Sequence, residues 1–501
     1  MRRFTRLFAL LTAIALLAAA CSSSSTEDDA SADSSEATDS TETDESFEAE
    51  DEDSDGESES SADSETETEV ESTPSGPPDF GPAPEVPAEY DQALVDAFNE
   101  IFTEEALTSQ TFGADQADNF QTITDSGDPR AAWLISDLLR FLNGNGSGVL
   151  VAAAEGATGV QIGGDFSPWG GLVNHLIAWD TPAPPDYLTH KRTLFSLVSD
   201  SWEPFFDDNA SELVDYRYWS WGGVQIDDQA YDETKDPPGG IIPASDNPDV
   251  TDAAGGDWYD DDRVVFGVEL NGEARAYPRN IMEIREMVND TLGGRDFAMP
   301  YCTLCGSAQV FFTDEVPDGV ERPILRTSGL LSRSNKVMYE LRTQSVFDTF
   351  LGVAVTGPLA EQGIELDQAP VVTTTWGEWK AEHPDTTILA ESEALDRDSD
   401  LLNTRDADGP IFPIGDVDPR LAVQEPILGV ITESGTPVAF PVDEARSSLL
   451  DGDTVEFENV TIELASGGIK AVDADGTELG SHQAFWFAWS QFHEATEVWG
   501  I

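Results

Sequence analysis

At the centre of the sequence stands Met299-Pro300-Tyr301-Cys302-Thr303-Leu304-Cys305-Gly306-Ser307-Ala308. The preceding residues, 296–301, favour an extended chain, and residues 306–312 end in β-branched and aromatic side chains that also favour a strand. Gly306 relaxes the backbone just after the second cysteine, as a tight turn requires. The stretch therefore predicts two strands joined by a hairpin-like turn that carries both thiols.

The pair Cys302 and Cys305 is compatible with three kinds of site: a metal knuckle, a redox dithiol, or an inert disulfide or pair of buried thiols. The extended flanks favour a knuckle over a thioredoxin-type motif, because that motif needs a helix that opens at the first cysteine. The sequence contains no second C-x-x-C, so a metal such as zinc or copper needs further ligands. His383 and His493 are the first candidates for those ligands.

Two functions follow from these alternatives. In the first, the cysteines form a metal or redox centre of a cell-surface protein. In the second, they only pin a turn of a non-enzymatic module that binds a ligand or a partner protein in a groove. Cysteine nucleophile chemistry is the weakest alternative, because no Asn or Asp is placed to orient a histidine base and an oxidising compartment is hostile to a free thiol.

The charge balance excludes one class of partner. The chain has 501 residues, with 98 acidic against 25 basic side chains and a formal net charge of −73. Nucleic acid binding is disfavoured, because a phosphate backbone needs a basic protein face. The length suffices for two or three domains.

The N-terminal residues predict export and a lipid anchor. A basic start is followed by an apolar run, residues 7–20, that is too short to span a bilayer comfortably. The run ends Leu17-Ala18-Ala19-Ala20-Cys21, which is similar to a bacterial lipobox, so residues 1–21 are expected to be a lipoprotein signal peptide with its lipobox and Cys21 to become the lipidated N-terminus. An ordinary secretory signal is the alternative. The expected location is the outer face of the cell membrane, with the membrane as partner through the anchor.

Residues 22–88 are expected to form a disordered acidic tether. Serine, threonine, aspartate and glutamate dominate it, and prolines follow near its end, so it cannot bury enough apolar surface to offset chain entropy. The folded part is expected to be α+β: a small helical domain over 90–215, then a mainly antiparallel β-rich domain over 220–501 that contains the C-x-x-C motif.

Local patterns support this division. Leu94, Phe98 and Ile101 recur at helical spacing, and Asp128-Pro129 is a typical helix start. Residues 264–270 and 273–277 flank Asn271-Gly272, the preferred pair of a type I′ hairpin turn. Ile281, Ile284 and Val288 are spaced as in a short helix, after which Asn289-Asp290 and Gly293-Gly294 are expected to turn the chain.

A capping box and an apolar helical stripe predict the positions of the last helices. Thr375 and Glu378 have the spacing of a capping box, which puts His383 at the C-terminus of the helix that they begin. Phe485 to Phe492 form an apolar helical stripe, of the kind that belongs to a core, and His493 follows it.

Several stretches of the second half, in order along the chain, resemble the domain of unknown function 3179 family. They are Val288–Arg295, Tyr301–Ala308, Thr327–Leu331, Ser334–Tyr339, Trp376–Trp379 with His383–Thr386, and Phe485–Trp489 with Phe492-His493. The resemblance spans about residues 240–501 and implies a shared fold and site, without an activity. Two departures stand out: Arg285, where family members often carry histidine, and Glu494, where they often carry proline.

Overall fold

The computed structural model of the protein describes residues 79–142, 147–162, 167–232, 240–391 and 409–501. The predicted signal, Cys21 and most of the tether lie outside the described residues. The described part is a mixture of helix and sheet, with the helices first and mainly antiparallel strands after them, as the sequence predicts. None of the helices in this part is long and apolar enough to cross a membrane.

The first part of the described chain is helical. Its helices are α1 Gln92–Ile101, α2 Glu104–Leu107, α3 Phe112–Asp115, α4 Ala117–Ser126, α5 Ala132–Phe141, α6 Ser147–Thr158, α7 Pro168–Ala178 and α8 Tyr187–Val198, with 3₁₀ turns at Pro129–Ala131, Asp200–Phe205 and Tyr216–Tyr218. Leu94, Phe98 and Ile101 are buried on α1, which confirms the spacing argument. Asp128 caps the turn that Pro129 begins, by accepting a hydrogen bond from a backbone amide.

The second part consists mainly of strands. They are β1 Trp219–Trp221, β2 Ser245–Asp246, β3 Val250–Asp252, β4 Val264–Leu270, β5 Glu273–Pro278, β6 Met287–Leu292, β7 Arg295–Cys302, β8 Ser307–Ala308, β9 Val310–Phe312, β10 Leu325–Ser332, β11 Asn335–Glu340, β12 Val346–Asp348, β13 Val353–Ala354, β14 Gln368–Ala369, β15 Val372–Thr375, β16 Thr387–Leu389, β17 Pro426–Ile431, β18 Pro437–Pro441, β19 Val455–Phe457, β20 Val460–Ala465, β21 Gly468–Val472, β22 Ser481–Phe485 and β23 Glu497–Val498. Five helices lie among the described strands: α9 Arg279–Arg285, α10 Gly357–Glu361, α11 Trp376–Glu382, α12 Val442–Asp451 and α13 Trp486–Phe492.

The described strands form five sheets. Their orders are β1-β10-β11-β12-β13, β14-β9-β7-β6-β2 with β8 beside β7, β15-β4-β5-β16-β3, β22-β17-β18-β23 and β19-β20-β21. Among the described strands, parallel pairing is confined to β5 with β16, β18 with β23 and β2 with β6. β1 joins the end of the helical part to β10, so the helices are tied to the second part through a sheet edge.

The predicted hairpin is present, and one prediction beside it is wrong. β4 and β5 pair in antiparallel register around Asn271 and Gly272, whose φ angles of 52° and 82° fit a type I′ turn. Helix α9 begins after Pro278 but ends at Arg285, and Val288 lies in β6. Asn289 and Asp290 also lie inside β6, because this strand pairs along its whole length with β7, and the turn is formed by the two glycines at 293 and 294.

Two of the sheets repeat one structural unit. In each, a hairpin (β4-β5 or β17-β18) has an antiparallel strand on one side and a parallel strand on the other, giving β15-β4-β5-β16 and β22-β17-β18-β23. A helix with two tryptophans connects the outer strands in both. The second tryptophan, Trp379 or Trp489, covers Gly267 or Gly429, where a Cβ atom would overlap the indole.

Candidate redox site

The two cysteines lie at the predicted turn. Cys302 ends β7 and pairs with Ser307 of β8, and the backbone amide of Cys305 donates to the carbonyl of Cys302 at 3.2 Å. Gly306 has a φ of 61°, and a Cβ atom there would lie 3.1 Å from the Phe485 ring. The position therefore favours glycine for both its backbone conformation and its close neighbour.

Both thiols are enclosed. Cys302 is 2% exposed and Cys305 is fully buried, and neither forms a disulfide. Their sulfur atoms each lie 3.7 Å from one acceptor, the carbonyl oxygen of Ser334, so the two side chains converge on one point. The surrounding core includes Phe350 and Trp489, which leaves the sulfurs in a largely apolar shell.

The two thiols differ in acidity. Burial raises the pKa of the Cys302 thiol, but the hydrogen bond from Cys305 and the backbone amide of Lys336 more than offset this, so the pKa lies below its ordinary value. Burial and the hydrogen bond to Cys302 raise the pKa of the Cys305 thiol well above its ordinary value. Of the pair, Cys302 is the more acidic thiol.

A buried lysine lies beside Cys302. The Lys336 side chain comes from β11 and is 3% exposed. Its ammonium donates to the backbone carbonyl of Glu286 and, at 3.1 Å, to the hydroxyl of Thr327, while the Glu286 carboxylate lies 3.4 Å away. Burial lowers the pKa of Lys336, and the charges of Glu286 and Cys302 oppose this effect. Glu286 follows α9 in a left-handed conformation with a φ of 49°.

Each of the two predicted histidine ligands stacks on a tryptophan. His383 ends α11 and stacks on Trp379 at a centroid distance of 4.1 Å, with Nε2 3.2 Å from the Ser466 hydroxyl and Nδ1 3.6 Å from Glu269. His493 stacks on Trp489 in the same way, also at 4.1 Å.

Across the described ranges, no group of three or more His, Cys, Asp and Glu side chains could hold a metal ion. The structure thus brings Cys302 and Cys305 together without His383 or His493 as a third or fourth ligand. The physical reason is that each imidazole is placed by the tryptophan of its own helix.

His482 is a buried titratable group that the sequence left without a role. Its Nδ1 accepts a hydrogen bond from the Gln368 amide at 2.8 Å, and its Nε2 has no partner among the described residues. Burial, with a smaller effect of His493, lowers the pKa of His482 to about 3, and burial lowers that of His493 to about 4. Both rings contact Phe350, so this side of the cysteine core holds two neutral imidazoles.

Sequence reasoning also missed the role of Lys336 and Glu286. The sequence clue to Lys336 was the rarity of lysine. The chain contains only five lysines, and this one lies in a strand of a family-like stretch. Arg285, which departs from the family pattern, forms an ion pair with Glu391 at 2.6 Å. Its guanidinium is therefore engaged by a carboxylate next to the site.

The comparisons with known proteins agree with the resemblance seen in the sequence. Residues 239–480 match the model of a family described as "Protein of unknown function (DUF3179)", a stretch that includes the cysteine turn, Glu286 and Lys336. The tail motif around Trp489 and His493 lies beyond the matched residues. No curated protein and no solved structure matched the chain.

Proposed function

We propose that the protein is an exported, lipid-anchored protein of the outer face of the cell membrane, and that its Cys302–Cys305 pair works as a dithiol–disulfide redox centre. In this proposal Cys21 carries the lipid, residues 22–88 are the tether, and a helical domain over 90–215 precedes the β-rich domain over 220–501. The lipobox-like end of the apolar run supports the anchor. An oxidising compartment supplies the conditions in which a dithiol can cycle.

The redox proposal rests on the difference in pKa between two adjacent thiols. A dithiol exchanges with a disulfide when one sulfur is a thiolate and the other stays protonated until it is needed. Cys302 and Cys305 fit these roles, because the hydrogen bond between them lowers the pKa of the first and raises that of the second.

The chemistry has two steps that balance. The Cys302 thiolate attacks one sulfur of a low-molecular-weight disulfide, so that a mixed disulfide forms and one thiolate leaves and takes up a proton. Cys305 then loses its proton and attacks the Cys302 sulfur, which releases the second thiol and forms the internal disulfide. The protein is oxidised by two electrons, and the small disulfide is reduced to two thiols.

The enclosure of the sulfurs limits the partner. Cys302 is 2% exposed, and the neighbouring Leu304 packs against the core cluster that contains both thiols. A large protein partner cannot place its own cysteine on such a sulfur without displacing the turn. A small disulfide needs a smaller opening, so small molecules are the expected partners.

The test is a thiol count at controlled potential. The full chain with Cys21→Ser is equilibrated in buffers of oxidised and reduced glutathione, quenched in acid, unfolded, alkylated and weighed by mass spectrometry. One reversible transition in which Cys302 and Cys305 lose their alkyl groups together is expected, and Cys302→Ser or Cys305→Ser should abolish it. Metal content is measured on the same preparation.

Two results would contradict the redox proposal. If both thiols stay reduced at every potential, the cysteines are inert, and the non-enzymatic binding module becomes the better description. If the purified protein retains a stoichiometric metal that Cys302→Ser removes, a metal centre takes the place of the dithiol.

A further inference from the structure

We propose that Ser466, His383 and Glu269 form a second site, which does not use the thiols and hydrolyses small carboxylic esters. Ser466 is the nucleophile, His383 is the general base, and Glu269 is the positioning residue that orients the base. The three side chains come from the turn between β20 and β21, from the end of α11 and from β4. The inference goes beyond the dithiol proposal and does not depend on it.

The distances between the three groups follow the order that a nucleophilic serine requires. The Ser466 hydroxyl lies 3.2 Å from Nε2 of His383, and the Glu269 carboxylate lies 3.6 Å from Nδ1, the other ring nitrogen. When Nδ1 carries the proton towards the carboxylate, Nε2 is free to accept the proton of the hydroxyl. The carboxylate distance is that of an ion pair, and catalytic contacts of this kind often tighten only when a substrate binds.

The serine is held in place by the backbone around it. Ser466 and Gly467 have φ angles of 47° and 79°, as in a type I′ turn. The amide of Ser466 donates to the Glu382 carboxylate at 2.7 Å, and its carbonyl accepts from the hydroxyl of Thr374. The turn is thus fixed to α11 and to β15, and the serine hydroxyl lies against the imidazole that follows the same helix.

The carboxylate distinguishes the first repeated unit from the second. Glu269 lies two residues after Gly267, the glycine that the tryptophan of the first unit covers. Two residues after Gly429, the corresponding glycine of the second unit, the chain has Ile431. The stack of imidazole on indole is therefore common to both units, whereas only the first unit has a carboxylate at this position of its hairpin.

The exposure of the three groups limits the size of the substrate. The His383 side chain is 19% exposed and that of Glu269 is 46% exposed, so the imidazole can be reached from solvent. Ser466 is only 4% exposed, which leaves room for a small acyl group but not for a large one.

Charge limits the substrate further. Besides Glu269, two carboxylates lie at the turn: Glu382 accepts from the serine amide, and Glu378 lies where a Cβ atom on Gly467 would overlap it. The Arg446 guanidinium, 3.9 Å from Glu378, offsets part of this negative charge. Because like charges repel more strongly where water is partly excluded, the expected substrates are small esters that carry no negative charge.

The reaction balances in two steps. The Ser466 oxygen attacks the ester carbonyl carbon while Nε2 of His383 takes its proton; the alkoxide then leaves with that proton as an alcohol, and the acyl group stays on the serine. Water attacks the acyl-serine, His383 passes a proton from the water to the serine oxygen, and a carboxylic acid leaves. The amide of Gly467, the residue after the nucleophile, is the donor that the turn offers to the oxyanion. One ester and one water give one acid and one alcohol.

The test uses the full chain with Cys21→Ser, p-nitrophenyl acetate as an uncharged ester, and a fluorophosphonate probe. Turnover above that of Ser466→Gly is expected, with one probe per chain mapped to Ser466 by mass spectrometry. Glycine suits a φ of 47°, so Ser466→Gly removes the hydroxyl without straining the turn. His383→Gln should lower kcat by about 100-fold or more, the usual scale of general-base catalysis.

Two further variants separate catalysis from folding. Glu269→Gln should lower kcat with little change in KM, because the carboxylate acts on the base and does not bind the substrate. His493→Gln alters the matched imidazole of the second unit and should keep the wild-type kcat.

The labelling experiment needs no variant, so a misfolded mutant cannot leave the inference undecided. If the probe does not attach to Ser466 in the wild type and turnover equals that of Ser466→Gly, the serine is a structural residue of its turn and the inference is wrong. An unchanged kcat in His383→Gln would overturn the assignment of the base, and an unchanged kcat in Glu269→Gln would overturn its positioning role.

Discussion

The two buried imidazoles near the cysteine core should make the protein sensitive to mild acid. In the folded chain, burial lowers the pKa of His482 to about 3 and that of His493 to about 4. In the unfolded chain, both imidazoles titrate near an ordinary pKa of about 6.5. The unfolded state therefore binds more protons than the folded state throughout the interval between these values.

The sign and size of the effect follow from proton linkage. Because the unfolded state binds the extra protons, the stabilisation that these histidines contribute is fully present at about pH 7. The free energy of unfolding falls as the pH drops below about 6.5. Each histidine should remove about 2 kcal/mol between about pH 7 and about pH 5. His482 and His493 are both largely buried, so solvent screening takes away little of this contribution.

The assay is urea unfolding followed by tryptophan fluorescence at several pH values. The double variant His482→Gln and His493→Gln removes both titrating groups, and Gln can still accept the hydrogen bond from Gln368. The variant is expected to be less stable than the wild type at neutral pH but to lose about 4 kcal/mol less on going from about pH 7 to about pH 5.

If the stability of the two proteins falls in parallel as the pH drops, the reasoning is refuted, because the carboxylates titrate in both proteins and only the histidines differ. Asp348 makes the comparison necessary: burial raises its pKa to about 6, so its contribution has the opposite sign. A raised carboxyl pKa favours the folded state at low pH, and that contribution is lost as the pH rises through about 6. The difference between variant and wild type isolates the histidines.

Three further outcomes are expected. Gly429→Ala should destabilise the chain by about 1–3 kcal/mol in urea unfolding, because the new methyl group overlaps the indole that covers this glycine, whereas Gly148→Ala, in an open helical position, should not. Arg326→Met should destabilise by about 3–5 kcal/mol, since it leaves the buried Asp246 carboxylate without its ion-pair partner at 2.5 Å; Arg446→Met, whose carboxylate partner Glu378 is half-exposed, is the control, and a similar loss in both would contradict this. Relative to the unfolded chain, the native protein should slow a bulky maleimide more than it slows iodoacetamide at both thiols, and native rates equal to the unfolded rates for both reagents, measured by mass spectrometry, would mean that the sulfurs are not enclosed.

The parts of the fold that the sequence predicts are those set by neighbouring residues. Asn271-Gly272 specifies its turn by backbone preference alone, and Thr375 caps α11 by accepting from the amide of Glu378 at 3.3 Å. The spacing of Val288 from the apolar residues of α9 suggested that the helix continued. Pairing with β7 prevailed, because tertiary contacts override local periodicity.

Only the cysteine turn of the candidate site could be predicted from the sequence, because only the turn is formed by neighbouring residues. Cys302 and Cys305 are adjacent in sequence, and their turn is a local feature. Lys336 comes from another sheet than Cys302, and Glu286 reaches Lys336 from the end of α9, so no spacing in the chain connects the three. Such a cluster becomes visible only when the register of β7, β10 and β11 is known.

The repeated unit explains why the histidines pointed to a site that they do not complete. Trp379, His383 and Thr386 recur at the same spacing as Trp489, His493 and Thr496, and in both sets the indole donates to the threonine hydroxyl and stacks on the imidazole. The fold thus produces this geometry twice, once beside the cysteine core and once beside Ser466. It is a property of the repeated unit and does not depend on the thiols.

The thiol turn, in contrast, is not part of the repeated unit. It joins β7 to β8, in a sheet outside both units, and its carbonyl at Cys305 accepts from the amide of Phe485 in the second unit at 2.9 Å. The second unit therefore covers the sulfurs with its own helix and core. If the centre is redox-active, loosening that cover should raise the alkylation rates of both thiols together.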